Sequence, residues 1–282
     1  MRCAVSEAVR RGWSVSRRII KTFGKEDEAM AQEIRKIKTH GELRECIALQ
    51  EEIWGLDAQG TMSPVTLKAL TFENPNMSVN LGAFVDGVLA GFMLVIPSFR
   101  NDMAYAHMFG VLPKYRNMGL GTRIYARMMH ELSDRGIRSM AGTFDPLECK
   151  NAHIYLNKMG AVAYGYVPEC YDVECEMHKG LPLDRMLLSF PVTVEPPSKN
   201  LHDDAPLAMP DSMPEEKHVL VEIPRDLAGL KKADLERAAE YRMQTREVLS
   251  EYLNNRGYQA VGVVLPDDGA TGRYLLEKGE AA

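Results

Sequence analysis

Between Leu43 and Trp54, apolar residues at 43, 46, 47, 53 and 54 fall at helical spacing, which predicts one amphipathic helix with a single buried face. The period then changes. "AFVDGVLAGFMLVI" reads as two β-rich runs joined at Asp86-Gly87, a dipeptide suited to a two-residue turn with positive φ at both positions. "MAYAHMFGV", residues 103–111, is a third long strand. Past it, Leu120, Ile124, Met128 and Leu132 return every four residues, with Tyr125 and Met129 widening the stripe, so a helix here packs one face on a sheet. "IRSMAGTF" is a short buried strand, "NAHIYLNKMG" a short helix closed by Gly160, "VAYGYV" a strand start and "MLLSFPVTV" a last strand.

Residues 196–216 are rich in Pro, Asp and Ser without periodicity, and predict a linker. A second unit, residues 217–282, follows as β-α-β-β. Its parts are "HVLVEI", a helix marked by Leu235, Ala238, Ala239, Val248, Leu249, Tyr252 and Leu253 that ends at Gly257, and the strands "YQAVGVVL" and "GRYLL". Alone, such a piece has an exposed sheet edge, so it is expected to dock on the first unit. The chain therefore divides into a basic tail (1–35), a mixed α/β domain (36–195), the linker and the docked extension.

Composition narrows the function. With 282 residues, 45% of them hydrophobic, an ample core forms, and a net charge of −5 argues against general nucleic-acid binding. Five scattered cysteines, an odd number, fit a reducing compartment and a cytoplasmic protein. Cys170 and Cys175 with nearby His178 lack zinc-ligand spacing and a fourth ligand, so no metal is expected. No apolar run approaches the roughly 18 residues that span a bilayer. The first 25 residues set seven Arg and Lys against Glu7 alone. They read as a tail, a transit peptide or an over-long gene start, and the tail is carried forward.

The chemistry concentrates in "VLPKYRNMGLGTRIYARMM", residues 111–129, where a strand end meets a glycine turn and a helix start. A Walker loop would need a Gly-Lys-Ser/Thr that "GLGTR" lacks, and the dinucleotide fingerprint would need glycine at Ile124. Arg116-Asn117-Met118-Gly119-Leu120-Gly121 instead fits Arg/Gln-x-x-Gly-x-Gly/Ala, the pyrophosphate loop of the GNAT acyltransferases. Free N–H groups at a helix start point the same way and attract an anion, and glycines let it approach the backbone. The resemblance extends through "TFDPLECKNAHIYLNKMGA", "GLPLDR" and a C-terminal stretch holding "VEIP", Arg242, Thr245-Arg246 and "RGY". It covers residues 36–277 and resembles a group of predicted GNAT enzymes acting on small molecules, some of them amino acids, with acetyl or succinyl donors.

The resemblance implies a GNAT fold with acyl-CoA as co-substrate, held in a sheet split beside the fourth strand. Phe109 and Val111 would bind the pantetheine arm, residues Arg116, Asn117, Met118, Gly119, Leu120, Gly121 and Thr122 the pyrophosphate, and Asn151 the arm's far side. It places a general base on the fourth strand, where Tyr105 and His107 share a face and His107 titrates near neutrality. The family tyrosine that protonates the departing thiolate has Leu156 at its position, with Tyr155 one residue earlier; Tyr155 leads Tyr166 and Tyr171 as the acid, the alternative being a thiolate that leaves unprotonated. Asp184-Arg185 reads either as an acceptor-carboxylate contact or a locally paired turn, and Asp145 as a loop anchor or an ammonium contact, with Tyr171 beside them. Arg242 and Arg246, one turn apart, read either as contacts for a bound anion or as solvated partners of nearby Glu residues. The expected activity is N-acyl transfer to a small-molecule amine or amino acid in a ternary complex, with homodimerisation open. The alternative is a GNAT-like module that binds acyl-CoA without catalysis.

Overall fold

The computed structural model describes residues 31–58, 60–72, 77–173, 179–193, 199–267 and 269–279. Residues 1–30, Cys175 and His178 lie outside them. Among the described residues, ten strands form one sheet in the order β1-β2-β3-β4-β5-β7-β6-β9-β10-β8. They are β1 (Gln32–Lys36), β2 (Val79–Val85), β3 (Val88–Pro97), β4 (Met103–Val111), β5 (Ser139–Phe144), β6 (Val162–Val167), β7 (Arg185–Pro191), β8 (His218–Pro224), β9 (Tyr258–Val264) and β10 (Thr271–Lys278). The β2–β3 turn has φ of 49° at Asp86 and 81° at Gly87, as its sequence predicts.

Helix α1 (His40–Trp54) starts at a capping box formed by Thr39 and Glu42 and buries Leu43, Cys46, Leu49 and Ile53. With α2 (Pro64–Leu70) it covers one sheet face through Leu67, Phe92 and Leu94. On the other face, α3 (Leu120–Ser133) buries the expected stripe of Leu120, Ile124, Tyr125, Met128, Met129 and Leu132. After β5 comes α4 (Cys149–Ala152), which widens into a π-helical turn over His153–Lys158. The extension supplies α5 (Leu227–Ala233) and α6 (Leu235–Ser250).

Two elements depart from the expected pattern. Strand β1 begins at Gln32, inside the stretch read as tail; its sequence QEIRK is an edge strand with too little apolar content to signal itself. The extension docks by continuing the sheet, where β9 pairs β6 at Ala163–Ala260. Side chains stitch that short seam. Asn157 bridges the N–H and C=O of Val263, Asn254 bridges those of Tyr166, and the Lys199 ammonium donates to Ala161 O at 2.6 Å and Val261 O at 2.8 Å. The stretch read as linker is thus anchored at Lys199 and again where Leu207 bridges Leu220 and Ala208 is buried.

Candidate active site

Strands β4 and β5 run parallel and pair only at Met103–Ser139, Ala104–Met140 and Tyr105–Ala141. Beyond Tyr105, β4 continues to Val111 on the arm of β3, while its other edge pairs with no strand among the described residues. The sheet is therefore split, and the unpaired edge offers backbone groups that an extended chain could meet. Phe109 and Val111 lie along this edge, half-buried against the core under α3.

A bulge sits where the split opens. Val95 pairs with Ala106 and Leu94 with Met108, which leaves His107 without a partner across the ladder. This extra residue moves Phe109 and Val111 onto the core face that Ala104 and Ala106 occupy. It also turns His107 to solvent. Its ring still neighbours that of Tyr105, with centroids 6.4 Å apart. Desolvation by surrounding atoms disfavours the imidazolium, so the His107 pKa falls below its usual value.

The strand leads into the glycine turn. Asn117 and Gly119 both have left-handed backbones, with φ of 65° and 75°, and Gly119 caps α3. The amides of residues 117–122 donate to no described acceptor, because they occupy the turn and the first turn of the helix. A methyl group on Gly119 would meet nothing within 4 Å, and one on Gly121 would touch Phe109 at 3.6 Å and Val111 at 3.9 Å, an ordinary contact. Packing therefore does not require glycine at 121. Leu120 is buried and contributes only its backbone, Met118 packs on the core, and Thr122 is exposed. Exposed Arg116 turns its Nε onto Val111 O at 3.2 Å and braces the turn.

On the far side of the split, Tyr155 stands edge-on to Phe144 and Phe190, at 5.6 and 5.8 Å between centroids. Its hydroxyl has no hydrogen bond to a described residue, and burial pushes its pKa up to about 12, so the phenol keeps its proton at neutral pH. Leu156 is fully buried. The family offset of one residue falls within the π-helical turn, which fits an extra residue into a turn and so alters the angular placement of the side chains after it. Asn151, half-buried on α4, makes no side-chain hydrogen bond to a described residue.

Beyond Tyr105 lies a polar patch. Burial pushes the Tyr105 hydroxyl up to about 12, reinforced by the neighbouring Tyr171 hydroxyl and opposed by Thr143. Tyr171 is exposed and lies under the Arg185 guanidinium, 5.2 Å from ring centre to carbon. Arg185 Nη1 donates to Asp184 O at 2.9 Å and stands 3.8 Å from Asp145 Oδ2. Asp145 is 4% exposed; it accepts from Leu147 N–H at 2.8 Å and from Arg242 Nη2 at 2.6 Å. It lies behind Arg185, anchored rather than presented to solvent.

Asp184 and the two C-terminal arginines overturn the expected pairing. Asp184 is buried and binds Arg246, the Tyr166 hydroxyl and the Glu169 amide, and its carboxylate makes no pair with Arg185. Arg242 and Arg246 are not solvated partners of nearby Glu residues: Arg242 is fully buried on Asp145, and Arg246 holds Asp184 while reaching Glu169 at 3.0 Å. One signal was available in the sequence. Arg242 occupies the stripe of Ala238, Thr245 and Leu249 that buries the helix, where an arginine needs an internal anion. A separate cavity of about 290 Å³ beside Lys36, Lys68 and Asn80 lies at the β1–β2 side of the sheet and takes no part in this cleft.

Residues 43–161 match the model of the acetyltransferase (GNAT) family. Among solved structures, the chain is similar to the ribosomal-protein-S18-alanine N-acetyltransferase from Escherichia coli at 17% identity, covering 61% of this chain and 100% of that one, with a TM-score of 0.46. An acetyltransferase of the GNAT family from Streptococcus pneumoniae is 17% identical over 58% of this chain and 100% of its own, with a TM-score of 0.48. The aminoglycoside 6'-N-acetyltransferase from Enterococcus faecium is 14% identical over 58% and 99%, with a TM-score of 0.43. No curated protein matches the chain in sequence.

Proposed function

From the premise that residues 43–161 are an acetyltransferase domain of the GNAT family, we propose that the chain transfers an acyl group from acyl-CoA to the amine of a small molecule that also carries a carboxylate, such as an amino acid. One observation carries this reading: β4 loses its partner after Tyr105 and leads directly into a helix start with six unengaged amides. The amides of residues 117–122 suit a pyrophosphate, and Gly119 and Gly121 leave the approach to them clear. The free edge of β4 and the uncommitted Asn151 side chain suit the amide-bearing arm that follows. The proposal takes acetyl or succinyl as the donor group. Among the described residues no helix is long and apolar enough to cross a membrane. We take the site of action to be the cytoplasm, where acyl-CoA is made and used.

The positions of His107 and Tyr155 support one assignment of base and acid. His107 and Tyr155 flank the split, with the thioester carbonyl to be placed between them. His107, neutral at pH 7 because its pKa is lowered, takes a proton from the acceptor's ammonium, directly or through water. The amine nitrogen then forms a bond to the carbonyl carbon as the carbon–sulfur bond breaks, and it sheds its second proton to water, which in turn restores the proton that Tyr155 gives up. A β4 amide stabilises the negative oxygen, and Tyr155 supplies a proton to the departing sulfur. Arg185, held by Tyr171 and Asp184 O, offers its remaining donors to the acceptor carboxylate.

Free-thiol release from acetyl-CoA and succinyl-CoA, measured across the L-amino acids and their decarboxylated amines, tests the reading. Turnover favouring carboxylate-bearing acceptors is expected. Acyl-CoA binding without turnover on any acceptor would replace it with a non-catalytic binding module, and no binding of CoA would remove it.

A further inference from the structure

Asp145 Oδ2 stands between two guanidinium groups. Arg242 Nη2, from the C-terminal helix, is 2.6 Å away, and Arg185 Nη1, at the start of β7, is 3.8 Å away. The other oxygen, Oδ1, already accepts the Leu147 N–H at 2.8 Å. A carboxylate this deeply buried draws in whichever cation can reach it. The two arginines therefore compete for one oxygen, and the geometry shows Arg242 holding it.

The environment of Arg242 makes this arrangement informative. Its side chain is fully buried, yet Nε and Nη1 have no hydrogen-bond partner among the described residues. A buried guanidinium with two unused donors is poorly accounted for by its own stability, since an apolar residue of similar length would fill the stripe at least as well. What Arg242 does accomplish is to occupy Asp145. Arg185 consequently keeps only a 3.8 Å ion pair with Asp145, outside hydrogen-bond reach, with one nitrogen on Asp184 O and its flat face over Tyr171. Tyr171 neighbours Tyr105, and Tyr105 neighbours His107, so Arg185 lies one aromatic ring from the strand that carries the proposed base.

We propose that Arg242 is a positioning residue through which the C-terminal extension tunes the acceptor site: by engaging Asp145 it prevents that carboxylate from capturing Arg185, and so keeps the Arg185 guanidinium available to an acceptor's carboxylate. The inference rests on the reading of Arg185 given above. It assigns the extension a part in acceptor selectivity as well as in completing the sheet.

The test compares KM for each L-amino acid turned over with KM for its decarboxylated amine, on the full chain. Arg242→Met should free Asp145 to close on Arg185 and raise the amino-acid KM about tenfold against the amine, with KM for acyl-CoA unchanged. The double variant Arg242→Met/Asp145→Asn should restore the ratio to within about twofold, because a neutral amide does not capture Arg185. A purely structural Arg242 would lower thermal stability without moving the ratio, and that outcome overturns the proposal, as does a double variant that fails to restore it. Should Arg242→Met not fold, Arg242→Lys replaces it, and a smaller shift in the same direction is required. Arg185→Ala separates the two readings. If it leaves the ratio unchanged, or if no amino acid is turned over, the acceptor reading falls and this proposal with it. If it removes the preference while Arg242→Met does not, only the positioning role is lost.

Discussion

Arg246 holds both oxygens of Asp184 across 62 residues of chain, Nη2 on Oδ1 at 2.8 Å and Nε on Oδ2 at 3.0 Å. Asp184 is fully buried, and the Tyr166 hydroxyl at 2.6 Å and the Glu169 amide at 2.9 Å complete its shell. A forked guanidinium on a desolvated carboxylate is a strong, directional contact, and it joins α6 to the entrance of β7. Arg246→Met leaves that carboxylate buried without its cation. We expect a loss of roughly 3–5 kcal/mol, read as a lower urea midpoint with little change in slope. A variant as stable as the parent would show that the contact contributes nothing net.

Gly121 gives the cleanest probe of the amide cradle. A methyl group there meets Phe109 and Val111 at ordinary contact distance, and Gly121 is not among the residues with a left-handed backbone. Gly121→Ala should therefore fold normally, with a thermal midpoint close to that of the parent. Because the loop pattern admits alanine at this position, KM for acyl-CoA should stay within about twofold in that variant, whereas the longer, anionic side chain of Gly121→Glu should raise it at least about tenfold by blocking and repelling an anion at the backbone. Gly119→Ala is less informative, since its φ of 75° adds strain of about 1–2 kcal/mol to any effect on binding. A well-folded Gly121→Glu with unchanged KM would remove the pyrophosphate assignment.

Much of the sheet and the turn that opens α3 were legible in the sequence because they depend on local rules. Period-two and period-four patterns located β4 and α3, Asp86-Gly87 fixed its turn, and the glycine loop announced a helix start. What escaped depends on partners distant in sequence. Strand β1 is recognisable only through β2, which covers it on one side. The His107 bulge arises from a slip against Leu94 and Val95, invisible within β4 itself. Arg242 and Arg246 have Glu240 and Glu247 close in sequence, which suggests local pairs, but neither acid stands at i±3 or i±4, the spacing that would bring them together. Their partners Asp145 and Asp184 lie 97 and 62 residues away, and only burial of those carboxylates selects them.

Acid stability should report on the start of α1. Burial disfavours the charged form of Glu42, but the Arg35 guanidinium at 2.8 Å and the amides of Lys38 and Thr39 outweigh it and bring the pKa down to about 2. A carboxyl whose folded pKa lies below its ordinary 4.5 stabilises fully above that pH, and the stabilisation fades as pH drops from 4.5 towards 2. Glu42→Gln should lower stability at pH 7 by about 1 kcal/mol, with the difference from the parent shrinking across that window. Denaturant melts at pH 7, 4 and 2.5 measure it. A gap of constant size would place the effect elsewhere than in this charge.

The two proton carriers make opposite demands on pH, and their environments separate them. His107 must be neutral to accept a proton, and desolvation lowers its pKa, so kcat should hold level through pH 7 and fall only at acidic pH. Tyr155 must be protonated to donate, and its pKa of about 12 keeps it so over the whole usable range, adding no alkaline limb below pH 10. Tyr155→Phe should reduce kcat by about 10- to 100-fold with little change in either KM, since the ring packing on Phe144 and Phe190 survives. His107→Gln should remove the acidic limb and leave a slow rate that rises with the fraction of unprotonated acceptor amine. An acidic limb that persists in His107→Gln would assign the base to another group, with Tyr105 and its raised pKa unable to supply a transition at that pH.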